Sequence, residues 1–242
     1  MLSKKFLIAS QRYLLFIFLI CLIVSILLAV TIGSFKISVF DILFGELDEL
    51  SRTILFTIRM PRVMLAAFVG ASLAISGACL QGLFRNPLAD PGLIGVSAGA
   101  ALGAAFAIVF SSHFISLNFL GPYLIPFSAI IGSASVIIIL FIITKGFGYD
   151  GVTYMLLAGI AVNAIAGVGI GLLTYISDDS ELRSLTFWTM GSFGGITWPL
   201  IIPALVVILF SIIWIIGLSR KLDLIQLGDV EASRLGINIK KV

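Results

Sequence analysis

RMPRVMLAAFVGASLAISGACLQGLFRNPLADPGLIGVSAGAALG occupies residues 59 to 103, and no aspartate, glutamate, lysine or arginine interrupts it between Val63 and Leu83 or again after Asp90. Two apolar runs are therefore joined by a short polar break, Arg85 to Gly92. An ionised side chain at the middle of a bilayer costs at least about 2.5 kcal/mol on insertion scales. Runs this long without one read as membrane-spanning helices, each needing about 20 apolar residues. The break holds Pro87, Pro91 and Gly92, which force a tight, rigid re-entry into the following helix. A loop so constrained fixes the angle between two helices.

The same grammar repeats along the chain. Uncharged runs extend from Leu14 to Gly33, Val63 to Leu83, Leu93 to Phe110, Pro122 to Thr144, Val152 to Ile176 and Trp198 to Leu218. The expected fold is an all-α, polytopic bundle with these six spans in one transmembrane domain over residues 1–242, and residues 219–242 outside the bilayer. Composition agrees: 60% of residues are hydrophobic and 11% charged, and the mean hydropathy of +1.20 is far from that of a water-soluble domain. Lys4, Lys5 and Arg12 precede the first run, which is too long for a cleaved signal peptide and lacks a small-x-small cleavage pattern after Gly33, so it is expected to stay as an anchor. Cys21 and Cys79 fall inside spans without spacing partners; they say nothing about redox compartment and do not make a metal site.

Basic residues in short loops stay on the cytoplasmic side. With the amino terminus inside, Lys4, Lys5, Arg12, Arg85, Lys145, Arg220, Lys221, Arg234, Lys240 and Lys241 are cytoplasmic, while Lys36, Arg52, Arg59, Arg62 and Arg183 are outside. This distribution places both termini in the cytoplasm. The net charge of +3 reflects that topology and not a nucleic-acid partner.

Helices in lipid associate through close backbone contact, so small residues four apart mark contact faces. The second run carries Ala66, Gly70, Ala74 and Ala78, the third Gly95, Gly99 and Gly103, and the fifth Gly159, Asn163, Gly167 and Gly171; these spans are expected inside the bundle and the first and sixth at its periphery. Asn163 either glues helices together or lines a wet path. His113, beside Ser111 and Ser112 in a short outer loop, reads as solvated.

No glycine-rich phosphate loop with a lysine is present, nor a metal-spaced cluster or a nucleophile and base pair. An enzyme has no residues to stand on. A proton-coupled carrier or a self-sufficient channel would need intramembrane charge or a filter-like loop, and neither is found. Energy is expected from a partner.

RMPR, the GASLAISGACLQGLFRNPLADPGLIGVSAGAALG segment, LLAGIAVNA at 156–164, FWTMGSFGG at 187–195 and LGDVEASRLGIN at 227–238 together resemble, in order, the permease family of ABC importers for iron chelates, haem and vitamin B12, the FecCD family. The resemblance implies a homodimer of permeases in the bacterial inner membrane. ATPase subunits beneath it bind ATP and Mg, which this chain does not. A periplasmic binding protein delivers the cargo. It implies that Arg59 and Arg62 dock acidic residues of the binding protein, consistent with guanidinium groups steering a carboxylate-bearing partner at a water-facing rim.

Asp229 as N-cap and Gly236 as stop frame a short helix from Val230 to Leu235. By resemblance this is the segment coupled to the ATPase, with Leu227, Gly228, Asp229, Glu231, Arg234, Leu235 and Gly236 as its surface. Arg85, Asn86, Pro87, Asp90, Pro91 and Gly92 form the structural loop. Asn163, Gly167 and Gly171 are path candidates. Phe187, Trp188 and Met190 lie in a short helix expected to gate the outer end, where they offer either soft surface to a planar cargo or interfacial packing. Family members have about ten spans, so the resemblance further implies that about four lie beyond Val242, with the chain a fragment or an interrupted gene. LRSLTFWTMGSFGGITW resembles haem permeases somewhat better than siderophore ones.

Overall fold

The computed structural model describes residues 2–45, 47–111, 121–145 and 151–237, without the side chains of residues 2–11, 43, 151, 152 and 229. Every regular element among them is helical: α1 Leu2–Thr31, α2 Val39–Phe44, α3 Glu49–Thr53, α4 Met60–Phe84, α5 Val96–Phe110, α6 Leu124–Thr144, α7 Gly151–Ile176, α8 Asp179–Met190, α9 Trp198–Ile225 and α10 Asp229–Arg234. A π-helical segment, Ile54–Arg59, leads into α4, and a 3₁₀ turn, Pro91–Ile94, precedes α5. The polytopic all-α expectation therefore holds. Five helical stretches among the described residues are long and apolar enough to cross a membrane.

The third run is a correction. Its first residues are spent on the 3₁₀ turn and on Gly95, whose φ of 83° starts α5 anew. What remains is a 15-residue apolar helix, about 22 Å long at 1.5 Å per residue, against the roughly 30 Å of a hydrocarbon core.

The chain divides into two compact units. The first comprises residues 1–69 and 193–205. Its core is Val30, Ile37 and Leu55, with Ile42, Met60 and Val63 packed against them. Ser38 caps α2 by accepting the Phe40 N–H at 3.2 Å, and Asp48 caps α3 by accepting that of Ser51 at 3.3 Å. The π segment has a visible cause. Met60 N–H bonds to Leu55 O, five residues back, and the next bond of that series would need an N–H from Pro61, which proline lacks. The Trp198 indole N–H donates instead to the stranded Phe56 carbonyl at 2.8 Å.

The second unit comprises residues 70–192 and 206–242. Here α5 and α6 meet backbone to backbone. A Cβ on Gly132 would collide with the Gly99 carbonyl and stand 3.2 Å from Gly103 Cα. Gly159 of α7 lies so close to the 3₁₀ turn that a Cβ would reach Ile94 Cα at 2.8 Å. Phe84, Ala89, Ile94, Val136 and Leu140 form one buried cluster, and Ala105, Ile108, Val109, Leu173 and Leu185 another. The small-residue faces of the third run and of Gly159 thus pack as expected. That of the second run does not: Ala66, Gly70, Ala74 and Ala78 are all exposed, and nothing lies within 4 Å of a Cβ on Gly70.

Candidate functional site

Arg59 and Arg62 lie in the first unit, where both line a cleft of about 390 Å³ with Ile32, Gly33, Phe35 and Ile58. Their environments differ. Arg59 is half-buried and turned onto the end of α1: Nη1 donates to the carbonyls of Val30 at 2.6 Å and Thr31 at 3.0 Å, and Nη2 donates to that of Phe35. The last carbonyls of a helix lack intrahelical donors and carry the negative end of its dipole, so a guanidinium is well suited to cap them. Gly33 makes the room, since a Cβ there would sit 2.6 Å from Arg59 Nη2. Arg62 is exposed, with Nε donating to Phe193 O at 3.0 Å. In the sequence the two look alike, because the carbonyls that occupy Arg59 leave no sequence signal.

In the second unit the Arg85–Gly92 break is a chain of side-chain-closed turns. Asn86 Oδ1 accepts the Leu88 N–H at 2.9 Å, and Asp90 Oδ1 accepts that of Gly92 at 2.7 Å. Each is the local side-chain turn these residues favour. Pro87 helps line a cleft of about 450 Å³ with Gln81, Gly82, Arg85 and Gln226, and Pro91 opens the 3₁₀ turn. Asn163 Nδ2 donates to Gly92 O at 3.0 Å, so of its two readings the geometry favours the glue, joining α7 to the loop. A Cβ added at Gly167 or Gly171 would meet nothing within 4 Å.

The tail forms α10 with a shifted start. Gly228, φ 109°, occupies the N-cap position and makes no side-chain cap; Asp229 is the first helical residue, a correction to its expected capping role. Glycine is acceptable there because its backbone reaches a conformation closed to aspartate at little cost. The expected stop is found: Gly236, φ 83°, donates to Ser233 O, and Ile237 donates to Ala232 O, the paired bonds of a glycine-terminated helix. Leu227, Val230 and Leu235 are exposed while Ile225 and Ala232 are buried. Glu231 and Arg234 pair with each other at 2.8 Å on the open surface. His113, Ser112, Asn238, Lys240 and Lys241 lie outside the described residues.

The aromatic segment before the last span is the helix α8. Its start is a reciprocal box: Asp178 accepts from the Ser180 and Glu181 N–H groups at 2.8 Å each, and the Glu181 carboxylate accepts the Asp178 N–H at 3.1 Å. This D-x-x-E spacing was readable in the sequence but stands before no apolar run, which is where such a box is sought. The Glu181 backbone bond, with the Ser180 hydroxyl and N–H, holds the Asp178 carboxyl below its ordinary range. Trp188 packs against the second buried cluster, whereas Phe187 and Met190 are 65% and 76% exposed. The three side chains therefore do not form one surface.

The family model described as the FecCD transport family matches residues 21–242. The hemin transport system permease protein HmuU of Yersinia pestis is 40% identical over 232 residues, covering 96% of this chain and 69% of that protein. The molybdate import system permease protein MolB of Haemophilus influenzae is 33% identical, with 95% and 68% covered. The vitamin B12 import system permease protein BtuC of Vibrio vulnificus is 35% identical, with 82% and 58% covered. Among solved structures, one described as a metal-chelate type ABC transporter in an inward-facing conformation superimposes with a TM-score of 0.81 at 31% identity, over 95% of this chain and 70% of that one.

Proposed function

Because the chain belongs to the FecCD transport family, we propose that it is the membrane-spanning permease subunit of an ATP-driven importer, carrying an iron chelate, with haem favoured, from periplasm to cytoplasm by alternating access. The observation that carries the haem reading is the 40% identity to a hemin permease over 96% of the chain, against 35% to a vitamin B12 permease over 82%. Vitamin B12 or a ferric siderophore is the second reading, favoured by that B12 relative and by the metal-chelate transporter structure.

No reaction is performed on the cargo. ATP and Mg bind to a separate ATPase, and this chain supplies the surface that receives its stroke. Leu227, Val230 and Leu235 give that surface exposed apolar contact, with Glu231 and Arg234 at its polar edge. The apolar side chains would contribute area and the ion pair register, since exposed pairs add little affinity. A second copy completes the pathway, and a periplasmic binding protein meets the rim, where Arg62 is the exposed guanidinium and Arg59 shapes the cleft beside it. Alternating access needs stiff helices that move as blocks. The α5–α6 seam and the Asn163 bond to the loop make α5, α6 and α7 such a block. The distribution of lysine and arginine supports a multi-pass inner-membrane protein with both termini in the cytoplasm.

The test is uptake of labelled haem, a ferric siderophore and vitamin B12, each offered separately to cells with the full-length gene and to a deletion strain. Loss of haem uptake alone supports the reading; loss of another cargo with haem uptake intact overturns the haem assignment.

A further inference from the structure

Arg85 has a backbone that the sequence does not favour and a side-chain bond that explains it. At the end of α4, Asn86 N–H donates to Gln81 O at 3.2 Å and Arg85 N–H to Gly82 O at 3.4 Å. That pair of bonds places Arg85 at the position where a left-handed residue, usually glycine, ends a helix. Its φ is 51°, and all other residues with positive φ among those described are glycines. A left-handed arginine carries a steric penalty that glycine does not.

The side chain reaches 140 positions along the sequence, where Nε donates to Ile225 O at 2.9 Å. Ile225 is the buried last residue of α9. The same carbonyl accepts the Gly228 N–H at 3.1 Å, which closes the turn into α10. Arg85 thus holds the atom at which α9 stops and the tail begins. Beside it, Gln226 Nε2 packs so closely on Gly82 that a Cβ there would stand 3.1 Å away.

On its other side Arg85 opens the rigid break, locked by Asn86 and Asp90, seated through Ala89 and Ile94 in the cluster with Val136 and Leu140, and tied to α7 through Asn163. We infer that Arg85 is a positioning residue that clamps the turn into α10 to this loop, so that a displacement of α10 is delivered to α5, α6 and α7 as well as to α9. The inference rests on the permease reading, in which α10 meets the ATPase.

Arg85→Gly separates this role from a merely structural one, because glycine suits the left-handed backbone while losing the side chain that makes the clamp. In the full-length permease assembled with its ATPase, Arg85→Gly is expected to keep or raise the thermal midpoint, because relief of the left-handed backbone offsets the lost hydrogen bond, while cargo moved per ATP hydrolysed falls. Arg85→Lys, with a charged donor kept, recovers part of that loss. A second readout needs no ATPase. Spin labels at exposed Leu88→Cys and Val230→Cys in the permease alone should give a narrow distance distribution that broadens in Arg85→Gly. Wild-type coupling in Arg85→Gly, or an unbroadened distribution, overturns the inference. An unmodified complex that moves no cargo with ATP, while the label distances still broaden, overturns the permease reading and leaves the clamp standing.

Discussion

Replacing Gly132 by alanine adds one methyl group at the point where α5 and α6 touch. The added Cβ would lie 3.0 Å from the Gly99 carbonyl carbon, nearer still to its oxygen, and 3.2 Å from Gly103 Cα. All three are backbone atoms and cannot rotate aside, so the helices must part by roughly 1 Å to restore ordinary contact near 3.5–4.0 Å. Overpacking of this kind costs about 1–3 kcal/mol, and the upper end applies where no side chain can yield. Alanine returns about 1 kcal/mol of helix propensity over glycine, leaving a net loss of about 2 kcal/mol. Gly70→Ala is the control: with nothing within 4 Å of its Cβ, it should keep the full propensity gain of about 1 kcal/mol. Unfolding of the full-length protein in mixed detergent micelles should separate the two variants by about 3 kcal/mol, roughly a hundredfold in the equilibrium. Equal shifts, or a stabilised Gly132→Ala, would refute the glycine seam.

Arg59 and Arg62 should separate in the same way. Arg59→Gln strips charged donors from the Val30, Thr31 and Phe35 carbonyls and should cost about 1.5–3 kcal/mol of stability, whereas Arg62→Glu should leave the thermal midpoint nearly unchanged and weaken binding-protein docking at low salt; the opposite assignment in melting and binding assays would contradict this. Asp178 supplies a pH test. Its folded carboxyl titrates below the ordinary range, so its contribution is full above that range and lost as pH falls through the depressed value. A carbon-detected titration should place the Asp178 transition below the usual carboxylate range near pH 4, and Ser180→Ala should raise it; a midpoint in the usual range, indifferent to Ser180, would contradict the cap.

Apolar run length made most of the fold legible, because a bilayer leaves helices few alternatives. Gly99 and Gly103 announced a seam, and Gly236 announced the end of α10. The shortened α5 was hidden because Pro91 and Gly95 look like the margin of a span until the left-handed φ at Gly95 divides them. Arg59 and Arg85 escaped for another reason. Each binds carbonyls at least 24 positions away, and backbone acceptors are the same at every residue. The π segment that ends at Arg59 follows from Pro61 only once Trp198 is found donating to the carbonyl that the proline leaves bare.

Reconstitution of the full-length permease with its ATPase in proteoliposomes, with binding protein and labelled haem outside and ATP and Mg within reach of the ATPase, tests the central claim most directly. The account predicts accumulation that requires ATP and the binding protein together. Accumulation without ATP, or driven by a proton gradient alone, would contradict it.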